Sequence, residues 1–271
     1  MNTRTVYFLF FLLSAYSLSA QQTYTFDKAL VYKLSYNPDT TNRERALTEL
    51  MELLVNDSLS IFRSVMQAGA DSVNKQYYLN GENRINTGGR IRYNLIKTPE
   101  KIIYLEYIHN FKDELLSYTE STSIQDWNIS DEEKSINGWE CQAAELRYGG
   151  RLWKAYFAPE IPIMDGPYKF MNLPGLIVKI TSDDGTWDFT LESFNQNVNK
   201  QVEINQYPTR KILVMDKKAF YKESDYFQEN RLFIEESTGK MGFRTEEERE
   251  GFVKRFKDYV RSNNNKLEKL Y

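Results

Sequence analysis

The chain has 271 residues, with 35 Lys plus Arg against 38 Asp plus Glu, one cysteine and one histidine. Charges of both signs alternate along most of it, the pattern of solvated surface rather than a phosphate-binding face, so nucleic acid is set aside as a partner. With Cys141 and His109 alone there is no internal disulfide, no His/Cys zinc cluster and no haem-attachment motif.

The first twenty residues read as a secretory signal peptide. Arg4 supplies a basic start, Val6 to Leu13 an uninterrupted apolar run, and Ser17, Ser19 and Ala20 the small residues before the polar Gln21-Gln22. Cleavage is expected after Ser19 or Ala20, and with no Cys at the cut no lipid attachment is expected. The apolar run falls well short of the ~20 residues of a membrane span. No later stretch is apolar enough, so no transmembrane segment is expected after cleavage. Without Arg4 the mature chain carries 34 basic and 38 acidic residues, a formal −4. Residues 21–271 contain no repeat, no Pro-rich linker and no break in composition. A single domain is expected, long enough to bury about three quarters of its unfolded surface.

In chain order, residues 30–38 alternate Leu30, Tyr32, Leu34 and Tyr36 with more polar neighbours and end at Asn37-Pro38-Asp39, which predicts a strand. A helix is predicted next. Thr41 and Glu44 fit a capping box, and Ala46, Leu47, Leu50, Met51, Leu53 and Leu54 form one apolar stripe closed by Asn56-Asp57-Ser58. Leu59, Ile61, Phe62 and Val65 suggest a strand or a short mixed segment. Residues 91–98 and 101–110 read as a hairpin through Pro99-Glu100, and residues 114–122 as another alternating run. Gly149-Gly150 joins the strand GWECQAAELRY to RLWKAYFA, a strong hairpin signal. Residues 176–194 read as a hairpin turning at Asp183-Asp184-Gly185.

Short strands are predicted at 202–208 and 211–216, then a partly helical stretch from Asp216. A final helix is capped by Thr245 and Glu248, with Phe252, Phe256, Tyr259 and Val260 on its apolar face. Residues 263–271 read as a frayed tail. The fold class is therefore α+β: a mainly antiparallel, curved sheet with an early helix and a C-terminal helix packed on it.

Residues 151–180 are the most distinctive stretch. Together with Ile136 to Ala143, Gly149-Gly150-Arg151, Ile161-Pro162-Ile163, Asp165 to Phe170 and the run Leu173, Pro174, Gly175, Leu176, Ile177, the chain resembles the GLPGLI family of exported proteins from Gram-negative bacteria. It departs from that pattern at Asn172, where the family usually carries Gly, at Tyr156 and Ala158, and at its C-terminus. The resemblance implies export and a carrier-like envelope fold rather than a chemical activity. Physically, Pro174 and Gly175 fit positions i+1 and i+2 of a type II turn feeding an apolar strand. The run from Leu173 to Ile177 is thus assigned a structural role.

No catalytic, cofactor-binding or metal residue is assigned. Cys141 alternates into a strand as a small buried residue, and Asp183, Asp184 and Asp188 are better explained by a turn than by calcium. No G-x-S-x-G, S-x-x-K, P-loop or dinucleotide fingerprint occurs. Aromatic residues make up 14% of the chain. Among them Trp153, Tyr168 and Phe170 are the candidate ligand-facing residues. The reading is a secreted or periplasmic binding or carrier-like domain for an apolar or peptide ligand or an envelope partner. The alternative is an envelope hydrolase with a carboxylate or Ser-based site.

Overall fold

The computed structural model describes residues 23–82, 86, 88–106, 114–203, 211–239 and 241–269. The predicted signal peptide and His109 lie outside them. Fourteen strands are described. They are β1 (Thr23–Phe26), β2 (Lys28–Tyr36), β3 (Leu47–Val55), β4 (Ser60–Ser64), β5 (Tyr93–Lys97), β6 (Lys101–Glu106) and β7 (Glu114–Ser121), then β8 (Asn128–Ile136), β9 (Trp139–Tyr148), β10 (Arg151–Ala158), β11 (Leu176–Ser182), β12 (Trp187–Asn195), β13 (Lys200–Glu203) and β14 (Lys211–Val214). Three helices join them: α1 (Val65–Leu79), α2 (Lys217–Ser237) and α3 (Glu246–Arg261). None is long and apolar enough to cross a membrane.

Twelve strands form one sheet in the order β14-β7-β6-β5-β4-β3-β2-β12-β11-β10-β9-β8. Two meanders, β2 to β7 and β8 to β12, are joined by the antiparallel pairing of β2 with β12. Only the edge strand β14 runs parallel to its neighbour. The fold class holds, but the sheet is open and uncurled rather than wrapped about a helix. The predicted hairpins form where turn chemistry demands them. At Gly149-Gly150 both residues take positive φ, the requirement of a two-residue connection, and Tyr148 pairs with Arg151 across it.

Alternate residues divide between two cores. Leu53, Phe62, Leu95, Tyr104 and Leu116 face the main core, while Leu54, Ile61, Ile96, Leu105 and Leu115 face a smaller one closed by Phe26 and Val202 from the β1–β13 ribbon. Over the main face lie residues 159–175, Phe220 and Phe227 of α2, and Leu267.

Two predicted features fall elsewhere. The early helix is not at residues 41–54: residues 47–55 are the central strand β3, and the helix is α1, beginning at Val65. Because both faces of β3 are covered at its C-terminal end, Met51 to Leu54 are all buried and lose their period of two. A two-sided strand thus imitates a helical stripe. Leu50, which the stripe would have buried, is 49% exposed. Thr41 and Glu44 sit in tight turns, their amides donating to Asp39 Oδ1 and Asn42 Oδ1.

The tail is not frayed. Asn265, Leu267 and Glu268 are buried, and the Arg151 guanidinium gathers Leu267 O, Lys266 O and Asn265 Oδ1 at 2.5–2.9 Å.

Candidate functional site

Residues 159–175 run from β10 to β11 across the main core. Pro159, Pro162, Pro167 and Pro174 keep the segment out of the ladder, so its buried backbone needs other partners. Side chains from neighbouring strands and connections supply them. The Gln125 amide donates to Lys169 O and accepts from Met171 N, Trp127 Nε1 donates to Met171 O, and Lys97 Nζ donates to Gly166 O.

Leu173 to Ile177 close this segment, but not as a type II turn. Such a turn would run from Leu176 N to Leu173 O. Instead Gly175 N donates to Leu173 O at 2.8 Å, a tighter turn centred on Pro174, and Leu176 N donates to Ile161 O at 3.2 Å. Gly175 has φ +154°, and a Cβ there would stand 2.3 Å from Ala158 O and 2.9 Å from Pro159 Cα. The glycine is demanded by backbone crossing backbone. Asn172 adopts φ +71°, a left-handed conformation that Asn tolerates better than most side chains, at the position where the resembled family usually carries Gly.

Trp153, Tyr168 and Phe170 are brought together, with ring centroids 4.8 Å apart for Trp153–Phe170 and 5.9 Å for Tyr168–Phe170. All three are buried in the main core, away from any accessible surface.

Beside them is a charged cluster that the sequence did not suggest. The Lys169 ammonium, fully buried, lies 4.8–5.7 Å from the ring centroids of Tyr104, Tyr118, Tyr148 and Tyr168. It donates to Glu120, to Glu268 at 2.6 Å and to the Tyr118 hydroxyl at 2.8 Å. Lys217 at the start of α2 donates to the second oxygen of each carboxylate at 2.6–2.7 Å, and Tyr168 OH donates to Glu268. Burial lowers the pKa of Lys169 against the pull of Glu268 and Glu120; burial raises that of Glu120, but Lys169 and Lys217 outweigh it and hold the carboxyl below its usual value. Two cations meet two anions, and the site is closed.

A second buried group joins Ser60, Asp165 and Lys97. Ser60 Oγ donates to Asp165 Oδ2, Lys97 Nζ pairs with Asp165 Oδ1, and all three residues are buried, Asp165 in the loop itself. Lys97 and the hydroxyl thus donate to separate oxygens of one carboxylate rather than to each other, which does not make Lys97 a base on the serine. Cys141 is buried in β9, where burial pushes its thiol up to about 11. In the Asp183–Asp188 turn, Asp184 accepts from Ser182, Thr186 and Arg151, and Asp188 accepts from Thr181 and Thr190. Among the described residues no group of three or more His, Cys, Asp or Glu is placed to hold a metal ion.

The open site lies elsewhere. A recess of about 610 Å³ runs between the sheet and the helices, lined by Thr48 and Glu49 of β3, Met66 of α1, Gly88 to Arg90, Arg92, Glu106 of β6, Phe227 and Arg231 of α2, and Phe256, Tyr259 and Val260 of α3. Glu49 is buried, accepting from Ser64 Oγ, Arg90 N and Ile91 N. Glu106 accepts from Tyr104 OH at 2.9 Å. Burial raises its pKa, with that hydrogen bond and Arg92 acting in the opposite sense. The Tyr93 hydroxyl, buried and without a hydrogen-bond partner among the described residues, lies within the electrostatic reach of both carboxylates. None of Trp153, Tyr168, Phe170 or Leu173 to Ile177 lines this recess.

No known protein family and no curated protein matches the chain. Among solved structures it is similar to PNGF-II in its P21 and C2 crystal forms, each with a TM-score of 0.48 and 12% identity. The match covers 75–76% of this chain and 33% of those chains, so the chain spans about a third of the length of these neighbours.

Proposed function

We propose that the chain is an exported, GLPGLI-like domain of the cell envelope that acts by binding, through the recess between the sheet and α1, α2 and α3. The observation that carries this reading is the contrast between that recess and every other polar cluster described above. The Lys169, Lys97 and Arg151 groups are buried and engaged, whereas the recess is open and combines partly exposed guanidiniums with exposed apolar side chains. The signal-peptide pattern of residues 1–20 supports export. Intact-mass analysis of protein recovered from the envelope fraction should give a chain beginning at Ala20 or Gln21. An uncleaved chain confined to the cytoplasm would sink the localisation.

One observation favours a hydrolase as the second reading. Glu106, with a raised pKa, faces the recess and has the environment of a general acid. A hydrolytic site would also need an activated nucleophile or water, and Glu49, the other carboxylate there, is buried and already accepts three hydrogen bonds. Glu106→Gln separates the readings. It should leave ligand binding within about threefold on the binding reading, and abolish turnover of any hydrolysed substrate on the other.

A further inference from the structure

The occupant of the recess is legible from its charge and its lip. Arg90 is exposed, and its guanidinium has no hydrogen bond or ion pair among the described residues. Arg231 donates through Nε to Glu235 Oε1 at 2.7 Å and lies over the Phe256 ring, 6.0 Å from its centroid. Glu235 is buried and fixes the inner side of that guanidinium, leaving Nη1 and Nη2 without a hydrogen bond among the described residues. Arg92 stands near Glu106. The lining carries three arginines, Arg90, Arg92 and Arg231, against two carboxylates, of which Glu49 is buried, so its exposed charge is mainly basic although the whole chain is acidic. Guanidinium edges are the side-chain groups best matched to carboxylates and similar planar oxyanions.

Beside these cations stand Met66, 61% exposed, Tyr259, 47% exposed, and the partly buried Phe256. A lone inorganic anion would use the guanidiniums and leave that apolar lip and most of the volume empty. An occupant with acidic and apolar groups alternating along an extended body would use both.

Resting on the binding reading above, we infer that the recess takes a peptide segment carrying acidic and aromatic side chains. Its carboxylates meet Arg90 and the outer edge of Arg231, and a ring packs against Phe256 and Tyr259. Isothermal titration of the purified protein with Ac-Glu-Phe-Glu-Phe-NH2 and with its Gln counterpart tests it. The acidic peptide should bind at least tenfold more tightly than the Gln peptide, and more weakly as salt rises. The Arg90→Gln/Arg231→Lys variant, which keeps a cation beside buried Glu235 but removes both guanidinium edges, should lose at least tenfold in affinity for the acidic peptide, with its melting temperature unchanged.

Equal binding of both peptides, unaffected by the arginine substitutions, would overturn the ligand class and leave a binding recess standing. Displacement of the peptide by millimolar inorganic phosphate would reassign the site to small oxyanions. Failure of both peptides to bind at millimolar concentration would overturn the ligand class and the binding reading together.

Discussion

The Lys169 cluster and the recess are both rich in charge, and both lie where α2 meets the sheet. Around Lys169 each charged group has an opposite partner, four tyrosine rings surround the ammonium, and the residues of the loop, the helix and the tail are drawn from three distant parts of the chain. In the recess both carboxylates accept hydrogen bonds, while Arg90 and the outer edge of Arg231 make none among the described residues. Buried charge in a low-dielectric interior persists only when it is paired and hydrogen-bonded, so a complete cluster marks framework. Charge left at an accessible lip costs the fold little and can be used by a ligand. Composition alone would rank the two alike; partner satisfaction separates them.

The largest way to break the comparison is Lys169→Met. It leaves Glu120 and Glu268 sharing Lys217 alone, and urea denaturation should show a loss of about 3–5 kcal/mol, the range for removing one member of a buried ion cluster. Gly175→Ala comes next, at about 1–3 kcal/mol, because the new Cβ meets Ala158 O rather than a side chain that could move. A denaturation midpoint equal to that of the unsubstituted protein would show that the crossing can open.

Acid sharpens the same contrast. The Glu120 carboxyl is held below its usual range in the folded chain, so its contribution is fully present above the unfolded value and is lost as pH falls through the folded one. Stability measured from pH 6 to pH 3 should therefore fall more steeply for the unsubstituted protein than for Glu120→Gln. The smallest effect is expected from Arg90→Gln, whose stability should stay within about 0.5 kcal/mol, since its side chain is exposed and unpaired among the described residues. A large loss there would place the recess with the framework.

Much of the sheet was legible because its hairpins carry their own chemistry: Gly149-Gly150, Pro99-Glu100 and Asp183-Asp184-Gly185 all turn where predicted. β3 was misread because burial on both faces erases the period that separates strand from helix. α1 was missed because its buried residues are Gln67, Ala70 and Asp71, which make no apolar stripe. Its start was nonetheless written in Ser64 and Gln67, the spacing of a capping box, and Ser64 Oγ accepts from Gln67 N. The Lys169 cluster could not be foreseen from spacing, since Glu120, Lys169, Lys217 and Glu268 meet only through the tertiary fold. The recess was equally hidden, because its arginines look like ordinary surface charge until α2 and α3 are placed over them.

The docked tail has a consequence in time. Glu268 follows Lys169 by 99 residues, Leu267 follows Arg151 by 116, and Asn265, whose side chain donates to Asn37 O, follows that residue by 228. At a synthesis rate of roughly 5–20 residues per second, Lys169 waits about 5–20 s for Glu268. Until then the ammonium lacks half of its anionic partners, and the loop, though it can pack its apolar side chains, is not locked over the main face. The last steps of folding must therefore follow completion of almost the whole chain. Closures over such sequence separations belong to slowly folding topologies, so the loop and tail should be the last regions to gain hydrogen-exchange protection on refolding, after the β2–β7 meander.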